Sequence, residues 1–347
     1  MTEMKESPMK AIQVLEPGKL DVIEKERPVL VNDTDVIVET KAAGICGSDI
    51  HIYHGTNAVA TYPRVIGHEA VGIVHEVGSA VTNVKVGDRV ILEPIEYCGT
   101  CYACRMGRPN VCETLKVRGV HSDGGFQEYF VAQSEKLHIL DDDIDFKEAV
   151  MIEPFSIGAQ VCYRGQIAKG DVVLIFGAGP TGLAVLENAK HLGATCIILD
   201  MNENRLDYAK TFGADYTFNP SKVDIKEELE KITDGMLANV VVDAVGSTKI
   251  LSDAVYLTSV AGRIVSMGFL QQDTAISMLE ITKKEISVVG SRLQTHQFAK
   301  CVEYFKNNKV HLTGLITHTF NFEDVKEAVA LIENEPEKVG KVILTFE

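Results

Sequence analysis

Up to about residue 150 the chain sets short β-branched runs between Gly and Pro residues, among them Val36-Ile-Val-Glu, Val71-Gly-Ile-Val and Arg89-Val-Ile-Leu. Runs this short, punctuated by turn formers, predict a largely β region. Beyond it the apolar spacing changes. Strand-length runs at Val172-Val-Leu-Ile-Phe and Cys196-Ile-Ile-Leu are followed by helix-length segments at 183–192 and 205–212. Further strands are read at Val240-Val-Val-Asp, Arg263-Ile-Val-Ser-Met and Ile286-Ser-Val-Val. Strands alternating with helices predict an α/β region with a parallel sheet and crossover helices, and a sixth strand would complete a doubly wound sheet. The closing run Lys341-Val-Ile-Leu-Thr-Phe has no helix after it and is read as returning to the first region. A chain of 347 residues exceeds what one core organises. The pattern divides it into 1–153, completed by about 296–347, and 154–295.

Composition narrows the function classes. The formal net charge is −15 and no cluster of Lys and Arg stands out, which argues against a nucleic-acid surface. No apolar run approaches the ~18 residues of a membrane-spanning helix. The amino-terminal Met1-Thr-Glu-Met-Lys-Glu-Ser-Pro is polar and lacks the apolar core of a secretion signal, so a cytoplasmic location with reduced thiols is expected.

Three clusters carry chemistry. Cys98, Cys101, Cys104 and Cys112 fall within fifteen residues, among the breakers Gly99, Gly107 and Pro109. Zn²⁺ favours thiolate sulfur, and four protein ligands leave no position for substrate, so this loop is read as a structural zinc site; a disulfide is the alternative. Gly177-Ala-Gly179-Pro180-Thr181-Gly182 follows the Val172 strand and opens a helix. Glycines there allow a tight turn and close approach to a pyrophosphate held at a helix amino terminus. Asp200 ends the next strand, where a carboxylate accepts hydrogen bonds from the adenosine ribose and repels the 2′-phosphate of NADP, favouring NAD. The alternative for Asp200 is a helix cap or a strand-end turn residue, and Arg205 nearby is a cation that could accommodate a phosphate or simply face solvent. The third cluster joins Cys46, Ser48, Asp49 and His51 to His68 and Glu69. One thiol, one imidazole and carboxylates suit a second, open zinc site, although Cys46 and His68 taken singly read equally well as core residues.

At these residues the chain resembles the zinc-dependent medium-chain dehydrogenase/reductase family. The signature G-H-E-x2-G-x5-G-x2-V is matched by Gly67-His68-Glu69, Gly72, Gly78 and Val81. The resemblance implies a GroES-like β catalytic domain and a Rossmann domain with catalysis in the cleft between them, two zinc ions per chain, and NAD. It makes Cys46 and His68 ligands of the catalytic zinc, Glu69 an adjacent carboxylate, Asp49 the group that orients the histidine, and Ser48 and His51 a proton relay. Where many relatives place a second cysteine ligand, this chain has Glu153-Pro154, as in the sorbitol and threonine dehydrogenase branch. Whether Glu69 or Glu153 is coordinated stays open.

Within that branch, Tyr62-Pro-Arg-Val-Ile-Gly-His-Glu, Gly119-Val-His-Ser-Asp-Gly-Gly-Phe, Met151-Ile-Glu-Pro-Phe, Gly290-Ser-Arg292 and Ile316-Thr-His-Thr-Phe are similar to the bacterial starvation-sensing and L-galactonate dehydrogenase subgroup. That resemblance implies a small polyhydroxylated substrate. It puts Arg292 in the substrate cleft, where a guanidinium can fork onto hydroxyls or a carboxylate; an ion pair at a strand end is the alternative. The expected reaction is hydride transfer between a secondary alcohol of a polyol or sugar acid and NAD, with threonine or simple alcohols as the runner-up substrates. A zinc-free quinone reductase would lack both cysteine-bearing clusters, and a non-enzymatic NAD sensor would have no need of Cys46, Ser48, His68 and Glu153. A homo-oligomer, dimer or tetramer, is expected.

Overall fold

The computed structural model describes residues 7–307 and 310–347, so the amino-terminal stretch 1–6 lies outside the described residues. The chain forms two compact units, one running up to Glu153 and resumed over Phe298–Glu347, the other Pro154–Gln297.

The first unit is organised by the strand Asp35–Ile45, buried along nearly its whole length. On one side it pairs antiparallel with Glu69–Val77. On the other, Tyr129–Gln133 covers its first half and the closing strand Lys341–Thr345 its second. Ile316–Asn321 extends the sheet beyond the closing strand, and Arg89–Leu92 with Leu137–Ile139 extends it beyond Glu69–Val77. A smaller sheet of Met9–Glu16, Lys19–Lys25 and Arg64–Val65 completes the β unit. Phe126, Phe130, Ile12 and Ile91 are fully buried, and such β-branched and aromatic residues explain why short runs suffice as strands.

The second unit is a fully parallel sheet in the order Tyr216–Phe218, Thr195–Leu199, Val172–Phe176, Ala238–Asp243, Thr258–Ser266, Ser287–Gly290. The sixth strand that the alternation required is Tyr216–Phe218, three residues with no burial pattern that would announce it. Leu174, Ile197, Val241 and Ile264 are completely buried at the centre, as continuous apolar strands covered on both faces require. The helix after the glycines begins at Pro180, ahead of its first apolar residue, because proline is preorganised for a first turn. The next begins at Glu203, behind Asn202, whose side chain accepts from the Asn204 and Arg205 N–H groups. This strand order reverses between Val172–Phe176 and Ala238–Asp243, which opens a crevice at their carboxyl ends.

Candidate functional site

Cys46 leaves the end of the Asp35–Ile45 strand and heads the helix Gly47–Tyr53. The neighbouring strand pairs in a register that sets Glu69 opposite Gly44. Cys46 Sγ, a His68 ring nitrogen and a Glu69 carboxylate oxygen consequently lie within 4.8 Å of one another. Asp49 fastens the two segments together. Its Oδ2 accepts from the Cys46 N–H at 2.9 Å and its Oδ1 from the Gly67 N–H at 3.1 Å. The His68 Nδ1 is 3.8 Å from that carboxylate, so Asp49 holds the backbones that carry Cys46 and His68 and makes no hydrogen bond to the ring.

A residue that the sequence did not announce completes the cluster. Lys341 Nζ, buried, donates to Glu69 Oε1 at 2.5 Å across 272 positions of chain. The pair passes over Gly44, where any Cβ would strike the Glu69 carboxylate and come within 3.0 Å of Lys341 Cε. Burial opposes the charge on Lys341, but the facing Glu69 outweighs it and raises the ammonium above its usual range. His68 is treated likewise: burial opposes protonation, while Cys46 and Asp49 raise its pKa well above the ordinary imidazole value. Glu153 stands in the first turn of the helix Ile152–Arg164 and is 5% exposed, not a solvated helix-start residue. Burial pushes its carboxyl up to about 7, with His68 pulling the other way. It shares the electrostatics of His68, Glu69, Lys341 and Asp49 while lying outside the closest trio.

The donor set suits a cation. Three carboxylates and a thiol face one ammonium and one imidazole, and His68 Nδ1 is a buried polar atom with no hydrogen-bond partner among the described residues. Ser48 Oγ, on the adjoining helix, is buried in the same state. His51 lies one helical turn further on, exposed, with Nδ1 2.9 Å from Thr56 Oγ1.

The four-cysteine loop is a separate site. Its sulfurs stand 3.6 Å (Cys101 to Cys104), 3.8 Å (Cys101 to Cys112) and 3.5 Å (Cys112 to Cys98) apart. A disulfide would require about 2.05 Å. Four thiolates about 2.3 Å from one tetrahedral zinc would be separated by about 3.8 Å, close to the spacing seen. Backbone N–H groups of Thr100 and Cys101 point at Cys98 Sγ, and those of Cys98 and Thr114 at Cys112 Sγ. The Thr100 N–H leads in drawing the Cys98 thiol down to about 5, while desolvation and the neighbouring thiols push Cys104 up to about 12. Cys162, Cys196 and Cys301 are buried elsewhere.

In the second unit, Gly177 adopts φ +98°, and a Cβ on Gly182 would collide with the Gly177 carbonyl. Gly179 heads the helix Pro180–His191, with Pro180, Thr181 and Gly182 in its first turn and no side-chain cap. Asp200 Oδ2 accepts from the Ala178 N–H at 2.9 Å, which ties the carboxylate to the turn, and Arg205 Nη1 is 4.0 Å from the same oxygen. Arg292 lies two residues past the strand Ser287–Gly290, exposed, with its guanidinium 5.4 Å from the Phe269 ring centroid.

Both units have counterparts among known proteins. Residues 32–142 match the alcohol dehydrogenase GroES-like domain and residues 180–307 the zinc-binding dehydrogenase domain. The starvation-sensing protein RspB of Escherichia coli K12 is 41% identical over 340 residues, covering 97% of this chain and 99% of that protein. L-galactonate-5-dehydrogenase of the same organism is 33% identical over 341 residues, covering 98% and 100%. The crystal structure of RspB from E. coli CFT073 in complex with NADH superposes with a TM-score of 0.92 at 41% identity, over 98% of this chain and 100% of that one. No described helix is long and apolar enough to cross a membrane. With both domains matched in order along the chain, the protein belongs to the zinc-binding alcohol dehydrogenase family, in the subgroup of RspB, L-galactonate and sorbitol dehydrogenases.

Proposed function

We propose that the protein oxidises, reversibly, a secondary hydroxyl of a sugar acid or polyol, with NAD as the hydride partner. The observation that carries this reading is the mixed, buried trio of Cys46, His68 and Glu69 with Glu153 beside it, a set that can hold zinc and still leave a position open. Bound there, zinc supplies a Lewis acid that lowers the pKa of an alcohol oxygen, and NAD supplies the hydride acceptor. Cys46 and His68 are its ligands in this reading, with Glu69 or Glu153 as the carboxylate; Glu69 lies inside the trio. Asp49 fixes the spacing of the two segments. Ser48 Oγ accepts the substrate proton as it gives up its own hydroxyl proton, and His51, at the surface, releases a proton to water at the end of this relay. Cys98, Cys101, Cys104 and Cys112 hold a second, structural zinc. The Gly177–Gly182 turn receives the pyrophosphate and Asp200 the ribose, with Arg205 at the rim. Arg292 offers a fork for hydroxyl or carboxylate groups, which agrees with the sugar acid named for L-galactonate-5-dehydrogenase.

Two further features belong to the proposal. Among the described residues the edge strand Ser287–Gly290 pairs on one side only, with Val288 exposed, which supports self-association as a dimer or tetramer. Eight cysteines, none of them in a disulfide, support a cytoplasmic location. The test is NAD reduction by the purified, zinc-loaded protein against aldonates, polyols, threonine and short alcohols. The highest kcat/KM is expected for an aldonate or polyol; faster turnover of ethanol or benzyl alcohol than of all of these sinks the substrate reading. Wild-type enzyme is expected to prefer NAD over NADP by about two powers of ten, and Asp200→Ser to erode that preference. Equal efficiency with both cofactors removes Asp200 from the ribose site.

A further inference from the structure

Two helices begin at the carboxyl edge of the second unit's sheet close to the crevice, Pro180–His191 after the glycine turn and Thr248–Leu257 after the loop 244–247. Either amino terminus could attract a phosphate. They differ in the loop that leads into them. Ahead of Thr248, Asp243 Oδ1 accepts from the N–H groups of Val245 at 3.1 Å and Gly246 at 2.8 Å, and Oδ2 from that of Ser247 at 3.0 Å. Asp243 is 1% exposed, so three successive donors are saturated by a buried carboxylate of the chain itself.

The loop held in this way touches both of its neighbours. Phe176, Asp243 and Ser266 are aligned across the ends of three adjacent strands. On one side Val245 Cγ2 lies where a Cβ on Gly177 would meet it at 2.9 Å. On the other, Gly246 adopts φ +78° and rests against Gly268, whose Cα would be 3.0 Å from a Cβ on Gly246. Val245 itself is 60% exposed, an apolar side chain held out from a fixed loop beside the glycine turn.

We infer that Asp243 is a positioning residue for NAD: its carboxylate anchors the loop ahead of the Thr248 helix and so fixes Val245 as a wall of the cofactor crevice beside the glycine turn. The inference rests on the reading of the glycine turn as the NAD site. Asp243→Asn keeps the shape, removes the charge and, with its oxygen on Val245 and Gly246, sets an amide N–H against that of Ser247, so the anchor is weakened without a cavity. Gly246→Ala leaves the carboxylate intact and displaces the same loop sterically.

The experiment measures NADH affinity of the zinc-loaded full chain by nicotinamide fluorescence, together with steady-state kinetics and thermal melts. Both variants are expected to raise the NADH Kd and the KM for NAD about tenfold or more, with kcat at saturating NAD and the KM for the alcohol within about twofold of wild type. Loss of folded protein alone would lower kcat per chain and leave the KM for NAD unchanged, and that pattern overturns the inference. So does an NADH Kd within about twofold of wild type in either folded variant. A wild-type protein that binds no NADH overturns the NAD reading and this inference with it, whereas binding by wild type and equal binding by Asp243→Asn overturns the inference alone.

Discussion

The two thiol-bearing clusters of the first unit use the same chemical group under opposite geometries. Cys98, Cys101, Cys104 and Cys112 come from one loop of fifteen residues and lie partly at the surface, with backbone N–H groups directed at their sulfurs. Cys46, His68 and Glu153 come from a helix cap, a strand start and a distant helix, and His68 and Glu153 are buried. A ligand set contained in one loop can close around an ion with little help from the rest of the molecule. One assembled from three segments exists only while the sheet register and Asp49 hold the segments together, and it can leave a coordination position open. The difference predicts unequal lability and unequal consequences of losing a ligand.

The sharpest break in that comparison is Cys46→Ala. Without the thiolate the open site loses zinc, and kcat is expected to fall by about 10³-fold or more, the several kcal/mol that a Lewis acid supplies, while NADH still binds and the melting temperature moves little. Metal analysis of unchelated protein should then drop from two zinc ions per chain to one. Unimpaired turnover by Cys46→Ala would remove the catalytic reading.

Cys112→Ser tests the other half. Loss of the closed-site zinc is expected to destabilise the fold by at least about 3 kcal/mol, seen in denaturant melts, with activity per remaining zinc retained at low temperature. A mild chelator should accordingly abolish activity of the wild type before it unfolds the protein. The reverse order would show that the four-cysteine loop is the more labile site.

A smaller effect is expected at Gly44→Ala, which forces a Cβ into the Lys341–Glu69 pair. Overpacking there should cost about 1–3 kcal/mol of stability and lower zinc affinity at the open site only. Unchanged stability would mean that the pair can move aside.

The smallest prediction concerns pH. A Glu153 carboxyl pushed up to about 7 by burial is protonated below that pH and must release its proton to face a cation. Glu153 should therefore contribute up to about a tenfold weakening of zinc affinity at the open site per pH unit as the pH falls below 7, and nothing above it, where the protons on His68 and Cys46 still compete with the metal. Competition with a chromogenic chelator across about pH 6 to 8 measures this, and Glu153→Gln should make the profile shallower by one proton. An identical profile in the variant removes Glu153 from the site.

Much of this protein was legible in the order of its residues, wherever a physical constraint acts over a short stretch. The glycine turn needs its glycines at fixed offsets after a strand. The cysteine loop needs sulfurs a few residues apart. Alternating apolar runs dictate a parallel sheet because each strand must be covered on both faces. These are local requirements, so the sequence carries them directly.

The tertiary structure decided what depends on register and on contacts between distant segments. Tyr216–Phe218 is a strand only because Thr195–Leu199 offers it a pairing edge; its three half-exposed residues carry no period. Lys341 reads as the polar start of an apolar strand and becomes the partner of Glu69 only because Lys341–Thr345 and Glu69–Val77 flank the same strand, with Gly44 leaving the space between them. Asp243 reads as a strand end and becomes the anchor of a crevice wall because the next four residues fold back over its carboxylate. Asp49 was expected to orient an imidazole and instead spends both oxygens on backbone N–H groups, since burial requires those donors to be satisfied. Sequence spacing fixes which groups can meet within one turn of chain; which groups meet across hundreds of residues is set by sheet register, burial and the absence of a single methyl group.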